Sequence, residues 1–231
     1  MNKVKISAVI PVYNSCSILQ GTYTSVKKVL SEMTDEYEIL FRNDGSRDGS
    51  QKVLEKIARS DKHVRIFFNE NHGLGYVLRQ MFKDARGELV VYMDADAYMT
   101  FGLSQLPSLA GRTNEADVVI ASRYNHGSIP LHRLIPSRTY KLINELLFGV
   151  GIDDIGSGLV VFKKSALDRI KLYSDGFEIH IELYTKLHKA GFRIIEVPTD
   201  YVHWDEGSFN MLKHGPRTLA MTMKYWLTRY M

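Results

Sequence analysis

The sequence predicts an α/β domain built on a mostly parallel central sheet with helices on both faces. Three observations lead there. Short, nearly unbroken apolar runs alternate with longer stretches of helical spacing through the first half of the chain, the pattern of strands buried on both sides. Four of those runs end in polar or ionisable residues, at what becomes the carboxyl edge of such a sheet. A length of 231 residues, 45% apolar and 24% charged, is enough to bury a substantial core in one large domain or one domain with an appendage.

In chain order, "ISAVIPVY" reads as the first strand and a helix falls within 15–31. "YEILFRND" is the second strand, followed by a helix near 48–59; "VRIFFNE" is the third, followed by a helix near 75–84. "ELVVYMDAD" and "ADVVIASRY" supply the fourth and fifth. The second half is less regular. "PSRTYKLINELLFGV" places Tyr140, Ile143 and Leu147 at helical spacing; "SGLVVFKK" reads as a strand; a helix over 179–189 stops at Gly191; and "FRIIEVPTDYV" is another strand. Pro216 marks the expected first position of a last helix, with Leu219, Met223, Trp226 and Tyr230 in one apolar stripe. Residues 1–210 are expected to form the main domain and 211–231 an amphipathic helix. That helix suits either a membrane surface or packing on the core.

Formal net charge is +4, and residues 211–231 hold Lys213, Arg217, Lys224 and Arg229 without an acidic residue. Cys16 is the only cysteine, which excludes an internal disulfide and a cysteine zinc cluster and agrees with a reducing, cytoplasmic compartment. No apolar run reaches the 18 or so residues of a membrane span, and the N-terminal run is too short for a signal peptide. "HGLGY" lacks the third glycine of a dinucleotide fingerprint, no Walker sequence occurs, and "IGSGL" is not a nucleophile elbow. No motif supports nucleic-acid binding.

The chemistry gathers at the strand ends: Tyr13-Asn14, Asn43-Asp44-Gly45-Ser46, Asp94-Ala95-Asp96, and Ser122-Arg123-Tyr124. Two carboxylates at one turn raise each other's proton affinity unless a cation lies between them. Mg2+ or Mn2+ would relieve that repulsion and fill its shell with phosphate oxygens and water. An arginine at the same edge suits the phosphates.

In this order, "IPVYN", "NDGSRDGS", "NHGLGYVLRQM", "MDAD" and "ASRY" resemble the inverting nucleotide-sugar glycosyltransferases of family 2. "IPSRTYKLINELLFG", "DIGSGLVVFKKSAL" and "EVP" followed by a Gly-Ser pair narrow the resemblance to dolichyl- and polyprenyl-phosphate hexosyltransferases. The resemblance implies a GT-A-type nucleotide-sugar-binding domain. It implies hexose transfer from a UDP- or GDP-hexose to a polyprenyl or dolichyl phosphate, with inversion and with Mg2+ or Mn2+, at the cytoplasmic face of a membrane. Residue by residue, Pro11, Tyr13, Asn14 and Asp44 would hold the base and ribose. Asp94, Ala95 and Asp96 would hold the sugar and the metal, and Arg123 would meet phosphate. Arg133, Ser137 and Arg138 would lie near the acceptor phosphate, and Asp154 and Glu182 near the reaction centre. Tyr98 stands where the lipid-phosphate branch commonly has a glutamine, and His203 near the position of a late arginine.

A phosphate monoester acceptor is already ionised near pH 7, its second pKa being about 6, and needs little help from a base. A sugar-hydroxyl acceptor, as in polysaccharide or glycolipid synthesis, needs a carboxylate such as Asp154 or Glu182 to take its proton. A third class, a nucleotide-sugar-binding subunit without catalysis, predicts no metal-dependent hydrolysis or transfer of a nucleotide sugar for Asp96→Ala to abolish.

Overall fold

The computed structural model describes residues 5–123, 131–202 and 211–228, with backbone alone at 131–134 and 211–214. His203, Arg229 and Tyr230 therefore lie outside the described residues.

The first half repeats strand and helix: β1 (Ile6–Val12), α1 (Leu19–Met33), β2 (Tyr37–Asp44), α2 (Ser50–Ser60), β3 (Val64–Asn69), α3 (Leu74–Asp84) and β4 (Leu89–Met93). The short α4 (Ala97–Thr100), a 3-10 turn (Leu103–Gln105), α5 (Leu106–Gly111) and a second 3-10 turn (Arg112–Asn114) lead into β5 (Val118–Ser122). Then follow α6 (Leu131–Phe148), β6 (Leu159–Lys163), α7 (Lys164–Leu167), α8 (Ile179–Lys189), β7 (Ile194–Pro198) and α9 (Met211–Thr228).

The seven strands form one sheet in the order β3-β2-β1-β4-β6-β5-β7. Every pairing is parallel except those of β6, which runs antiparallel to both β4 and β5. Because strand side chains alternate between faces, the sheet supplies two cores. Ile6, Ala8, Ile10 and Val12 of β1 join Ile39 and Phe41 of β2 and Leu19, Val26 and Leu30 of α1 on one face. Val9, Leu40, Val90 and Tyr92 join Leu78 and Met81 of α3 and Ile181 and Tyr184 of α8 on the other. Both faces being covered explains why the strands lack a polar alternation.

The last helix differs from expectation. It begins at Met211, and Pro216 lies inside it rather than at its first position; Pro136 is likewise internal to α6. Each removes one backbone hydrogen bond. Packing anchors α9 instead: Thr222 is fully buried and its hydroxyl meets Tyr140 of α6 at 2.8 Å, while Tyr225 stacks on Phe148 at 5.5 Å.

Candidate active site

β4 delivers its two aspartates at the sheet's carboxyl edge. Asp94 N–H donates to the Gly158 carbonyl at 2.9 Å, continuing the β4–β6 ladder one residue past the strand. Its Oδ1 accepts the Tyr92 hydroxyl at 2.6 Å. Gly158 has no side chain for a steric reason, since a Cβ there would collide with Asp94 Oδ2. The chain then turns through Ala95, whose carbonyl accepts the Thr22 hydroxyl of α1 at 2.6 Å, into α4 behind Asp96. Burial, then the neighbouring Asp94 charge, push the Asp96 carboxyl up to about 6, and the Arg123 charge opposes them. Beneath this turn Tyr92 packs against the His180 ring, 5.9 Å between centroids. Burial drives the His180 imidazole below its ordinary range and raises the Tyr92 phenol well above its own.

The tips of β1 and β2 are clasped to each other. Asn14 adopts φ 50°, a left-handed conformation that asparagine tolerates. Its N–H donates to Ser46 Oγ at 2.8 Å, and its Oδ1 accepts Arg47 N–H at 2.9 Å. Asp48 accepts Cys16 N–H at 2.8 Å. Asp44 is buried and accepts Asn69 Nδ2, His72 N–H at 3.0 Å and Gly73 N–H at 2.8 Å. Tyr13, beside this clasp, is 46% exposed and presents an aromatic face to solvent.

The 154–158 turn joins the ends of β4 and β5. Asp154 is fully buried and accepts Arg123 N–H and Nε at 2.9 Å and Nη2 at 2.6 Å. Arg123 Nη2 also donates to the Gly156 carbonyl at 3.1 Å, and the Ser157 hydroxyl to Ala121 at 2.6 Å. Glu196 of β7 fixes the start of the turn by accepting Asp153 N–H at 2.8 Å and Asp154 N–H at 2.7 Å. From α6, Lys141 and Arg138 both pair with Asp153.

The family profile described as Glycosyl transferase family 2 matches residues 7–171. The chain belongs to glycosyl transferase family 2. Glycosyltransferase AglD of Haloferax volcanii is 26% identical over 210 residues, 86% of this chain and 33% of that protein. The undecaprenyl-phosphate 4-deoxy-4-formamido-L-arabinose transferase of Pseudomonas fluorescens is 30% identical over 165 residues, 71% of this chain and 48% of that one. The chain thus spans between about a third and about half the length of these curated relatives. Among solved structures, the Mycobacterium tuberculosis glucosyl-3-phosphoglycerate synthase in complex with Mn2+, UDP and phosphoglyceric acid superposes with a TM-score of 0.70 at 18% identity, over 98% of this chain and 78% of that one. The mannosyltransferase PcManGT from Pyrobaculum calidifontis, with GDP-Man and Mn2+, gives 0.63 at 16%, over 100% and 65%. Those likenesses bear out the GT-A-type fold.

Within this glycosyltransferase fold, the expected site residues fall into groups. Pro11, Tyr13, Asn14 and Asp44 line the β1 and β2 tips; Asp94, Ala95 and Asp96 follow β4; Arg123 and Asp154 form one ion pair beside them. Ser137 and Arg138 lie on α6, with Arg138 beside Asp153, the neighbour of Asp154; the Arg133 side chain lies outside the described residues. Glu182, on α8, accepts Tyr173 and Ser174 N–H groups and Lys186 Nζ. Tyr98 packs against the core, where a Cβ on Gly21 of α1 would lie 2.5 Å from its hydroxyl.

Several contributors went unread in the sequence. Tyr92 lies two residues before Asp94, a spacing that puts both on one face of the strand, and its hydroxyl donates to Asp94. Thr22, Gly158 and Glu196 act across long stretches of chain, and nothing in their local sequence announces it.

Asp94 and Asp96 are a hard-oxygen donor pair, and the raised proton affinity of Asp96 is what a cation would relieve. Among the described residues no group of three or more His, Cys, Asp or Glu surrounds one point. Two mutually repelling carboxylates at one strand end fit a hard divalent ion.

Proposed function

We propose that this chain transfers a hexose from a UDP- or GDP-hexose to a polyprenyl phosphate, with inversion at the anomeric carbon. The observation that carries this reading is the meeting at one sheet edge of the Asp94/Asp96 pair, the Arg123–Asp154 pair and the β1–β2 clasp. The relatives include undecaprenyl-phosphate transferases, which supports a lipid-phosphate acceptor.

In this mechanism Tyr13 and the backbone around Asn14 and Asp44 seat the nucleoside. Asp94 and Asp96 would hold the sugar and a Mg2+ or Mn2+ ion, which would supply positive charge against the diphosphate. Arg123 adds a fixed positive charge at the same edge. The acceptor phosphate attacks from the opposite side of the ring and, being ionised, requires no proton acceptor. That agrees with the state of Asp154, whose two oxygens are both taken by Arg123. Ser137, Arg138 and Lys141 on α6 supply polar and cationic groups for the incoming phosphate.

The reading also places the chain at a membrane surface, on the cytoplasmic side implied by the family resemblance. Among the described residues no helix is long and apolar enough to cross a membrane. Ile135, Leu142, Leu146 and Leu227 nevertheless stand exposed on α6 and α9, Leu146 at 77%. Arg138, Arg217 and Lys224 lie exposed on the same two helices, as suits an anionic surface. Co-flotation with anionic but not neutral vesicles is expected, and equal recovery in both would remove the membrane part of the proposal.

Donor choice is tested by titrating UDP-, GDP- and dTDP-sugars with and without Mn2+, followed by transfer assays on polyprenyl phosphate. Absence of metal-dependent binding of any of them would overturn the reading.

A further inference from the structure

We infer that Glu182 is a positioning residue for the nucleotide site and not a proton acceptor for the transfer; this rests on the nucleotide-sugar reading above. Glu182 lies in the first turn of α8 and is 1% exposed. Its Oε1 accepts Tyr173 N–H at 3.0 Å and Lys186 Nζ at 2.5 Å, and its Oε2 accepts Tyr173 N–H at 3.1 Å and Ser174 N–H at 2.7 Å. Burial alone would raise this carboxyl, but the lysine and the two N–H groups hold it below its ordinary range. Residues two apart on a helix do not share a face. It is His180 that lies under Tyr92 and in reach of the Asp94 charge, whereas the Glu182 carboxylate is occupied by Tyr173, Ser174 and Lys186.

What Glu182 holds leads to the donor site. Fixing Tyr173 and Ser174 fixes Asp175, whose carbonyl accepts Gly75 N–H at 2.8 Å and Tyr76 N–H at 3.4 Å at the start of α3. Arg79 of α3 pairs with the Asp175 carboxylate. The two segments approach so closely that a Cβ on Gly73 would lie 2.5 Å from the Asp175 carbonyl oxygen, and one on Gly75 would collide with that of Ser174. Gly73 and its neighbour His72 donate their N–H groups to Asp44, beside the β1–β2 clasp. An unbroken chain of hydrogen bonds and backbone contacts therefore runs from Glu182 through 173–175 and 72–76 to Asp44.

The test uses the full chain with two variants, Glu182→Gln and Gly75→Ala. The second disturbs the same contact from the α3 side without touching the carboxylate. Calorimetric titration with UDP and GDP in Mn2+ measures donor-site affinity. Amide hydrogen exchange over 70–78 measures the contact itself, and steady-state kinetics separates donor KM from kcat. Both variants are expected to bind nucleotide about tenfold more weakly, within the usual span of coupling energies, to exchange faster at 72–76, and to raise donor KM more than they lower kcat. Unchanged affinity and exchange in Glu182→Gln, with kcat down about 100-fold and the acid limb of its pH profile lost, would make Glu182 a general base and overturn the inference. Should Glu182→Gln not fold, unchanged affinity in folded Gly75→Ala overturns it equally. A wild-type chain that binds neither nucleotide defeats the functional reading instead, and unchanged exchange at 72–76 would then still refute the mechanical link.

Discussion

Arg123 grips Asp154 with three hydrogen bonds, two from its side chain and one from its own backbone N–H, while Glu196 holds the Asp154 backbone from the other side. The pair closes the junction between β5 and the 154–158 turn that also presents Gly158 to Asp94. Removing one partner of a buried pair strands the other's charge, at a cost of about 3 kcal/mol. Asp154→Ala is expected to lose about that much in urea unfolding, and to lose donor affinity with it. A stability change below about 0.5 kcal/mol would show that the pair is not structural.

Proton competition should govern the metal site. Asp96 has a carboxyl raised to about 6, so the metal-free fold is favoured by its protonation, and that contribution is lost as pH rises through about 6. A metal needs the ionised form. Stabilisation by Mn2+ should therefore be near full above about pH 7 and fade below about 6. Melting temperatures with and without Mn2+ across this range check it; a metal effect flat in pH contradicts it.

Asp94 is aimed by the groups around it. Tyr92→Phe removes the 2.6 Å bond to Oδ1, and Gly158→Ala drives a methyl into Oδ2. Gly158→Ala is expected to cost about 1–3 kcal/mol through overpacking. Tyr92→Phe should weaken Mn2+ binding several-fold, in line with a charged hydrogen bond of about 1.5 kcal/mol. Urea unfolding checks the first, and electron paramagnetic resonance of free Mn2+ checks the second.

At the opposite edge of the sheet lies a cluster with no part in the chemistry. Asp61 is buried and accepts Tyr23 hydroxyl, Lys27 Nζ and the His63 N–H, each at 2.8 or 2.9 Å. Burial opposes its ionisation, but Lys27, His63 and Tyr23 hold the carboxyl well below its ordinary range. A depressed carboxyl stabilises the fold above its unfolded value near 4, and that stabilisation is lost as pH falls below it. Asp61→Asn should flatten the acid side of the stability curve, read by urea unfolding between about pH 3 and 6.

The first half of the fold was legible because each strand is an apolar run closed by a polar tip. Ile6–Val12, Tyr37–Asp44 and Leu89–Met93 all fall where that pattern puts them. The direction of β6 was not legible, since Leu159–Lys163 has the same apolar character whichever way it runs. Nor was the start of α9, where Pro216 sits inside a helix held by Thr222 and Tyr225. In the site, Asp94, Asp96 and Arg123 could be named because strand ends gather at one edge. The pairing of Arg123 with Asp154 and the grip of Glu196 on that turn depend on tertiary contacts that no local spacing encodes.

The proposed function requires a metal-dependent nucleotide-sugar site at Asp94 and Asp96 that serves transfer to a lipid phosphate. Its most direct test is transfer of labelled sugar from UDP- or GDP-hexose to polyprenyl phosphate, measured with Mn2+, with chelator and in Asp96→Ala. The expected result is a lipid-extractable product that is lost on chelation and falls by at least about 100-fold in Asp96→Ala. Transfer that persists undiminished under both conditions would contradict the account.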